Sequence, residues 1–197
     1  MSVESIPEQT ISLSKTPSGD LAIWIFIMAE LLVFAIFFIS YAFTRSNHVE
    51  MFNSAQLTLD RNIALVNTLS LISSSYFAVR AVAAMRENNA RHCFNWLIAA
   101  LLMGLIFLLA KSFEYADHYA HGINMRTNEF YMFYFSLTFF HFLHVVMGMV
   151  ILSANAIKTR AGNYSAENYT GLETGTNYWH MVDIVWIILF PLIYVMR

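Results

Sequence analysis

Five long apolar runs divide the chain, and each is long enough to cross a bilayer as a helix. Their predicted bounds are residues 19–44, 62–85, 92–119, 129–157 and 177–196. An α-helix rises about 1.5 Å per residue, so about 20 apolar residues cross roughly 30 Å of hydrocarbon. The pattern predicts an all-α, polytopic membrane bundle of five transmembrane helices forming one domain over residues 19–197, after a flexible polar tail over residues 1–18.

The polar segments between the runs predict loops and an orientation. Residues 45–61 mix charged and apolar side chains and are expected at the membrane surface, whereas residues 158–176 are rich in Asn, Gly, Ser and Thr and predict a flexible loop. Basic residues that flank the predicted spans are slightly more numerous on the side of the membrane that holds the N-terminus than on the opposite side. By the positive-inside rule, this predicts a multi-pass protein of a bacterial-type inner (plasma) membrane, with the N-terminus cytoplasmic and the C-terminus outside.

Composition narrows the classes of function. Hydrophobic residues are 58% of the chain and charged residues 12%, which is typical of an integral membrane protein. The net charge is −2 and no basic face is evident, so nucleic acid is not an expected partner. The single cysteine, Cys93, excludes an internal disulfide, a Cys-x-x-Cys-His haem attachment, a cysteine-ligated iron–sulfur cluster and a two-cysteine copper centre. Redox chemistry in this chain would therefore depend on histidine.

Polar side chains recur at helical spacing in the last two apolar runs. In the fourth run, His141 lies on one predicted helix face, with His144 beside it, and in the fifth run His180 and Asp183 are three residues apart. The residues predicted to share the face of His141 are Tyr134, Thr138, Val145 and Gly148. A charged residue at the centre of a membrane span costs about 2.5–3.5 kcal/mol, so these histidines should be neutral and face a neighbouring helix.

Glu30 and Glu114 also fall within predicted spans. Glu30 interrupts the first run with no basic residue near it in sequence, so it is expected to be protonated or to meet a donor from another helix. It could be a proton-linked or ligand-linked carboxyl, or a neutral acid that hydrogen-bonds at a helix interface. Glu114 follows Lys111 by three residues near a helix end, which favours a structural ion pair near the interface over a proton pathway.

The histidines allow two interpretations. His141, His144 and His180 could be axial ligands of a b-type haem, but His141 and His144 share a face, so His180 would have to lie opposite one of them. The favoured alternative is a set of interhelical hydrogen bonds among the same histidines, Asp183 and Glu30, without a cofactor. The four tryptophans are expected in interface belts and lipid contacts.

Two of these segments resemble the subunit III family of haem-copper respiratory oxidases. The chain reads Thr-Phe-Phe-His-Phe-Leu-His-Val-Val-Met-Gly over residues 138–148, similar to the family's Thr-Gly-x-His-x-x-His-Val-x-x-Gly, with Phe139 replacing the usual Gly. Residues 178–186 read Tyr-Trp-His-Met-Val-Asp-Ile-Val-Trp, similar to Tyr-Trp-His-Phe-Val-Asp-x-Val-Trp. The stretch from Ala29 to Phe34 resembles Ser-Glu-x-x-x-Phe, whose carboxyl reacts with hydrophobic carbodiimides. The stretch from Lys111 to Tyr115 resembles Gln-x-x-Glu-Tyr, with Lys replacing Gln.

The resemblance implies a short, five-helix subunit III with an accessory role. Such a chain has no redox cofactor of its own; haem and copper belong to catalytic subunit I, on which it docks beside other oxidase subunits, binding phospholipid and supporting sustained turnover and proton uptake. The sequence of residues 128–135 is also similar to that of the subunit III-like protein associated with nitric oxide reductases. A role in assembling such a reductase therefore stays open. A haem-b membrane cytochrome oxidising quinol is another alternative. A small transporter is less favoured, because the sequence shows no broken helix or internal repeat.

Overall fold

The computed structural model describes residues 21–196, and every structural statement below concerns that part of the chain. The predicted tail over residues 1–18, the first two residues of the first predicted span and the last residue of the chain lie outside the described residues. The described part contains the α-helices α1 (Leu21–Asn47), α2 (Val49–Gln56), α3 (Arg61–Arg86), α4 (Ala90–Ala120), α5 (Glu129–Arg160) and α6 (Thr170–Phe190), and α6 continues into a π-helical turn, Pro191–Val195.

The predicted fold class is confirmed. Five helices are long and apolar enough to cross a membrane, namely α1, α3, α4, α5 and α6 with its π-helical turn. The short helix α2 has only eight residues, too few to cross, and lies within the segment predicted for the membrane surface.

The boundaries of the last connection differ from the prediction. Helix α5 continues to Arg160 and α6 begins at Thr170, so the prediction of a flexible loop over residues 158–176 is wrong for much of that range. Gly175, which lies in this range, serves helix packing instead: a Cβ atom there would collide with Asn155 and Ile151 of α5. Small side chains therefore indicate close helix approach here rather than a loop.

Asparagine and aspartate side chains start three of the helices. The Asp60 carboxylate accepts hydrogen bonds from the first amides of α3, and the side chains of Asn89 and Asn128 do the same for α4 and α5. Asn88, Gly122 and Gly162 adopt positive φ just after α3, α4 and α5 end, the usual left-handed conformation at a helix C-terminus.

Helices α3 to α6 form the bundle core, and α1 packs at its edge. Trp179 and Trp186 of α6 are among the largest fully buried side chains, so their predicted location in an interface belt is wrong. Trp179 packs so closely on Gly148 that a Cβ atom there would lie 2.6 Å from its ring. Helix α1 buries only Ile27, Phe34 and Tyr41. Most of its apolar surface therefore faces away from the bundle.

Candidate functional site: buried polar clusters between the helices

Glu30 of α1 and His144 of α5 form an interhelical pair. Glu30 Oε2 lies 3.0 Å from His144 Nε2, and His144 Nδ1 lies 2.8 Å from the carbonyl oxygen of Phe140. A carbonyl oxygen only accepts hydrogen bonds, so Nδ1 carries a hydrogen, and Nε2 of a neutral ring is then an acceptor. The bond to Glu30 consequently requires one proton, either on the carboxyl or on Nε2 of an imidazolium. In both arrangements the pair has no net charge.

Aromatic rings enclose this pair, which we call the Glu30–His144 pair. The ring centroids of Phe34 and Phe140 lie 5.2 Å and 4.7 Å from that of His144. The Tyr178 hydroxyl donates to the backbone carbonyl of His144 over 3.4 Å. The His144 side chain is 7% exposed and that of Glu30 is 20% exposed. The partner that the sequence required for Glu30 is thus a histidine on another helix.

His141 does not join this hydrogen bonding. Its ring is fully buried and stacks on Trp186 with centroids 5.1 Å apart, while Phe107 meets it edge-on at 5.7 Å. Within residues 21–196, neither ring nitrogen of His141 has a hydrogen-bond partner. The prediction of an interhelical hydrogen bond is therefore wrong for His141, whose contacts in the described part of the chain are aromatic.

His180 of α6 contacts the serine-rich face of α3. His180 Nδ1 lies 2.6 Å from Ser75 Oγ, and Ser74 Oγ donates to the carbonyl of Ala100 over 2.7 Å. Asp183, one turn along α6 from His180, is also buried, and its Oδ1 has no hydrogen-bond partner among the described residues. His180 therefore makes an interhelical hydrogen bond, but to a serine of α3 and not to one of the polar residues predicted as its partners.

Lys111 and Glu114 of α4 form the predicted ion pair, with Lys111 Nζ 3.1 Å from Glu114 Oε2. Lys111 Nζ also donates to the hydroxyls of Tyr134 and Tyr194, at 3.2 Å and 2.5 Å. Both hydroxyls in turn donate to Glu114 Oε1, at 2.5 Å and 2.7 Å. The Lys111 side chain is 0% exposed, so the ion pair is enclosed by the bundle. These four side chains are called the Lys111 cluster below.

The Lys111 cluster draws on three elements of the fold. Tyr134 comes from α5 and lies on the face predicted from the spacing of His141, so the sequence contained a signal for it. Tyr194 comes from the π-helical turn after Pro191, where no periodic pattern indicated a buried polar contact. The rings of Tyr115 and Trp186 also lie within cation–π range of Lys111 Nζ, at 5.3 Å and 5.6 Å.

The arrangement does not fit a b-type haem. Both nitrogens of His144 are in contact with Glu30 and Phe140, and the ring of His141 is enclosed by Trp186 and Phe107. An axial ligand must direct a free ring nitrogen at an iron atom with open space around it. Over the described range, 21–196, no group of three or more His, Cys, Asp or Glu side chains could hold a metal ion.

Comparison with known proteins agrees with the sequence motifs. The family model described as cytochrome c oxidase subunit III matches residues 14–197. The chain belongs to this family. The cytochrome c oxidase subunit 3 of Thermostichus vulcanus is 33% identical over 177 residues, covering 89% of this chain and 86% of that protein. The probable cytochrome c oxidase subunit 3 of Mycobacterium bovis is 28% identical over 193 residues, covering 98% of this chain and 95% of that protein.

A further relative combines two subunit names. The heme-copper oxidase subunit I+III of Aeropyrum pernix is 29% identical over 180 residues, which are 88% of this chain and 22% of that protein. The resemblance to the subunit III family is thus confirmed. At the position of the family's usual Gly, Phe139 is 51% exposed, so its side chain leaves the bundle rather than entering a helix contact.

Proposed function

We propose that this chain is the accessory, non-redox subunit of a haem-copper terminal oxidase in aerobic electron transport, and that it docks on catalytic subunit I. The observation that carries the proposal is the match to the subunit III family over residues 14–197. The name of the Aeropyrum relative supports the choice of partner, because a single polypeptide that carries both subunits keeps them together. Haem and copper would then belong to the partner, and other oxidase subunits would complete the complex.

The outer surface of α1 supports docking within the membrane. Only three of its residues are buried, and large apolar side chains cover much of its remaining surface. Those more than half exposed are Leu21, Ile25, Met28, Leu32, Ile36, Ile39 and Phe43. Such a surface suits contact with lipid or with the apolar helices of a partner, because shape fit rather than charge drives helix association in a bilayer.

A groove between α4 and α5 supports phospholipid binding. It encloses about 600 Å³, and its walls include Phe94, Ile98 and Ile157. Arg160 lines the same groove at the end of α5, with its guanidinium 5.8 Å from the centroid of the Phe94 ring. An apolar trough that ends at a basic residue suits an acyl chain whose phosphate pairs with the guanidinium.

We further propose a cytoplasmic N-terminus in a bacterial-type plasma membrane. The α3–α4 connection and the end of α5 lie on one side and carry Arg86, Arg91, Lys158 and Arg160, as the positive-inside rule requires of a cytoplasmic side. Cys93 is fully buried and is best replaced by Ser for labelling tests. An impermeant thiol reagent applied to sealed cells should then label Arg126→Cys but not Glu87→Cys. The reverse pattern would contradict this orientation.

Oxygen consumption over many turnovers tests the accessory role. Complexes with and without this chain are compared at equal haem content, because assembly defects would otherwise mimic a loss of activity. We expect similar initial rates and a faster decline in the complex that lacks the chain, since support for lipid and proton supply around the catalytic subunit is removed. Immediate and complete loss despite full haem content would contradict an accessory role, and identical decline would remove the proposed support of turnover.

A further inference from the structure

A second groove lies between the last turns of α3 and the first turns of α4. It encloses about 380 Å³ and is called the Arg80–Trp96 groove below. The groove shares no lining residue with the one that contains Arg160. Its remaining lining residues are His92, Asn95 and Ala99. None of the functional assignments made above uses this groove.

Arg80 places a positive charge in this groove without a counter-charge. It lies six residues before Arg86, the last residue of α3, which is about 9 Å along the helix axis. Arg86 pairs with Glu173 at 2.8 Å, whereas no carboxylate within residues 21–196 lies within ion-pair distance of Arg80. Glu87, exposed in the turn after α3, does not line the groove. An unpaired charge is costly in a bilayer, so Arg80 requires an anion nearby.

Two aromatic rings fix the position of the Arg80 guanidinium. Its carbon Cζ lies 5.4 Å from the centroid of the Trp96 ring, within cation–π range. The Trp96 ring stacks in turn on that of Phe77, with centroids 5.6 Å apart and 27° between the ring planes. Phe77 precedes Arg80 by three residues, so the two share one face of α3. The cation is thus held in the groove before a ligand arrives, which lowers the entropic cost of binding.

His92 adds a hydrogen-bond donor at the outer end of the groove. The Asn89 side-chain oxygen accepts from the backbone amide of His92, so the Asn89 side-chain nitrogen is the atom that lies 2.9 Å from His92 Nδ1. An amide nitrogen only donates, so Nδ1 is the acceptor and the neutral ring carries its hydrogen on Nε2. His92 is exposed, and its Nε2–H group is available to a ligand. The Asn95 amide and the Trp96 indole are further donors of the lining.

The lining matches a phosphate group at one end and an acyl chain at the other. It combines a guanidinium with neutral donors, and no carboxylate is among the described residues that line it. The groove reaches Ala99, about 14 Å along α4 from Ala90, where the small side chain leaves room for an acyl chain. Tyr76 and Val79, on α3 beside Arg80, are 54% and 48% exposed, so apolar surface continues next to the groove. A free phosphate ion would leave this apolar part unused.

We propose that the Arg80–Trp96 groove binds an anionic phospholipid, with its phosphate at Arg80 and His92 and one acyl chain along Ala99. Basic pockets between transmembrane helices are suited to acidic head groups. A zwitterionic lipid has the same phosphate but adds an ammonium group, which Arg80 repels and no carboxylate of the lining attracts. A carboxylate from a partner subunit is the competing occupant, but it would pair with Arg80 and leave the apolar end unfilled.

Photo-crosslinking in the purified oxidase complex tests the site. Phosphatidylglycerol and phosphatidylcholine, each with a diazirine at the same position of the same acyl chain, are compared at equal concentration in nanodiscs. Mass spectrometry quantifies the labelled peptides. We expect phosphatidylglycerol to label residues 76–83 of α3 about fivefold more than phosphatidylcholine, which corresponds to about 1 kcal/mol of selectivity. This comparison uses the unmodified protein, so it does not depend on the assembly of a variant.

Substitutions of Arg80 separate its charge from its packing. Arg80→Gln removes the cation, so labelling of residues 76–83 by phosphatidylglycerol should fall about fivefold, to the level of phosphatidylcholine. Arg80→Lys keeps the cation and should keep most of the preference for phosphatidylglycerol. Arg91→Gln is the matched control, because Arg91 is exposed near the start of α4 but does not line the groove. It should leave the labelling of residues 76–83 unchanged.

The groove that contains Arg160 provides a second control. Arg160→Gln should lower phosphatidylglycerol labelling beside Ile157 and leave that of residues 76–83 unchanged, because the two grooves have separate linings. The lipid site at Arg160 and the Arg80–Trp96 groove can therefore fail independently.

Three results would overturn the proposal. The first is equal labelling of residues 76–83 by the two probes, which would remove the selection for negative charge. The second is a loss of labelling in Arg91→Gln as large as in Arg80→Gln, which would indicate general attraction to a basic surface. The third is no labelling of this segment by either probe in the intact complex, as expected if a carboxylate of a partner subunit pairs with Arg80.

Discussion

The Glu30–His144 pair and the Lys111 cluster both place ionisable side chains inside the bundle, but they remove net charge differently. Glu30 and His144 share one proton through a single bond of 3.0 Å between α1 and α5. In the Lys111 cluster, the ammonium and the carboxylate of Glu114 are 3.1 Å apart, and two tyrosine hydroxyls bridge them. The Glu30–His144 pair becomes uncharged when the proton moves from the imidazolium to the carboxylate. The Lys111 cluster, in contrast, has no net charge only while both the ammonium of Lys111 and the carboxylate of Glu114 are present.

This difference has a structural consequence. The cluster lies in the core, where α4, α5 and the π-helical turn meet, and its Lys111 is inaccessible to solvent. The pair joins α1 to the bundle at its edge, where Glu30 keeps 20% of its side-chain surface. We therefore expect the cluster to contribute chiefly to stability, and the pair to tolerate substitutions that keep one hydrogen bond and no net charge.

The largest effect is expected from Lys111→Met, which leaves the Glu114 carboxylate without its cation. Removing one partner of a buried ion pair typically costs about 3–5 kcal/mol. The free energy of unfolding of the purified protein in detergent measures this loss. The control is Lys111→Met combined with Glu114→Gln, which removes both charges and should be more stable than the single variant. If the double variant were at least as unstable as Lys111→Met, the unpaired charge of Glu114 would not be the cause of the lost stability.

A somewhat smaller effect is expected from Glu30→Lys. The new ammonium would lie beside His144 with no carboxylate at hand, and a charged residue at this depth costs about 2.5–3.5 kcal/mol. The amount of protein that accumulates in the membrane measures the effect. Ile36→Lys, on the exposed face of the same helix, is the control for adding a charge without breaking the pair. Normal accumulation of Glu30→Lys would argue that Glu30 is not enclosed by the bundle.

The tyrosines of the Lys111 cluster should show intermediate effects. Tyr194→Phe removes a hydroxyl that accepts from Lys111 and donates to Glu114, and hydrogen bonds to charged groups contribute about 1.5–3 kcal/mol. Unfolding in detergent again provides the measurement. Tyr76→Phe is the control, because Tyr76 is 54% exposed. If both variants had the same stability, the hydroxyl of Tyr194 would not support the cluster.

Much of the fold and part of the site could be predicted from the sequence. Apolar run length identified the five spans, and helical spacing placed Tyr134, Thr138, His141, Val145 and Gly148 on one face, where all five are buried. The start of α6 was missed because glycine and threonine are common both in loops and at tight contacts between helices. Composition cannot distinguish them, since the difference lies in which partner helix fills the space.

The partners of the polar residues were harder to predict. The sequence required a donor for Glu30 but could not select His144 over His141, because both lie in one segment three residues apart. That choice depends on the rotation and position of α1 against α5, which single-helix periodicity does not contain. Tyr194 was missed for a similar reason: its contact arises from the π-helical turn after Pro191, which changes the direction of the side chains that follow.

The smallest effect is expected from Glu30→Gln. A glutamine amide can donate to His144 Nε2 as a protonated carboxyl does, so this variant should accumulate normally and lose no more than about 1 kcal/mol of stability. Infrared spectra of the wild type and the variant then locate the shared proton, because only a protonated carboxyl gives its own C=O stretching band. We expect this band in the wild type at pH 7 and its loss in Glu30→Gln, since a neutral carboxyl and a neutral imidazole avoid separated charges at this depth. His118→Gln is the matched control for a polar substitution elsewhere in the bundle, and it should leave the band unchanged. If Glu30→Gln were lost from the membrane as completely as Glu30→Lys, Glu30 would have to be ionised, and the pair would resemble the Lys111 cluster after all.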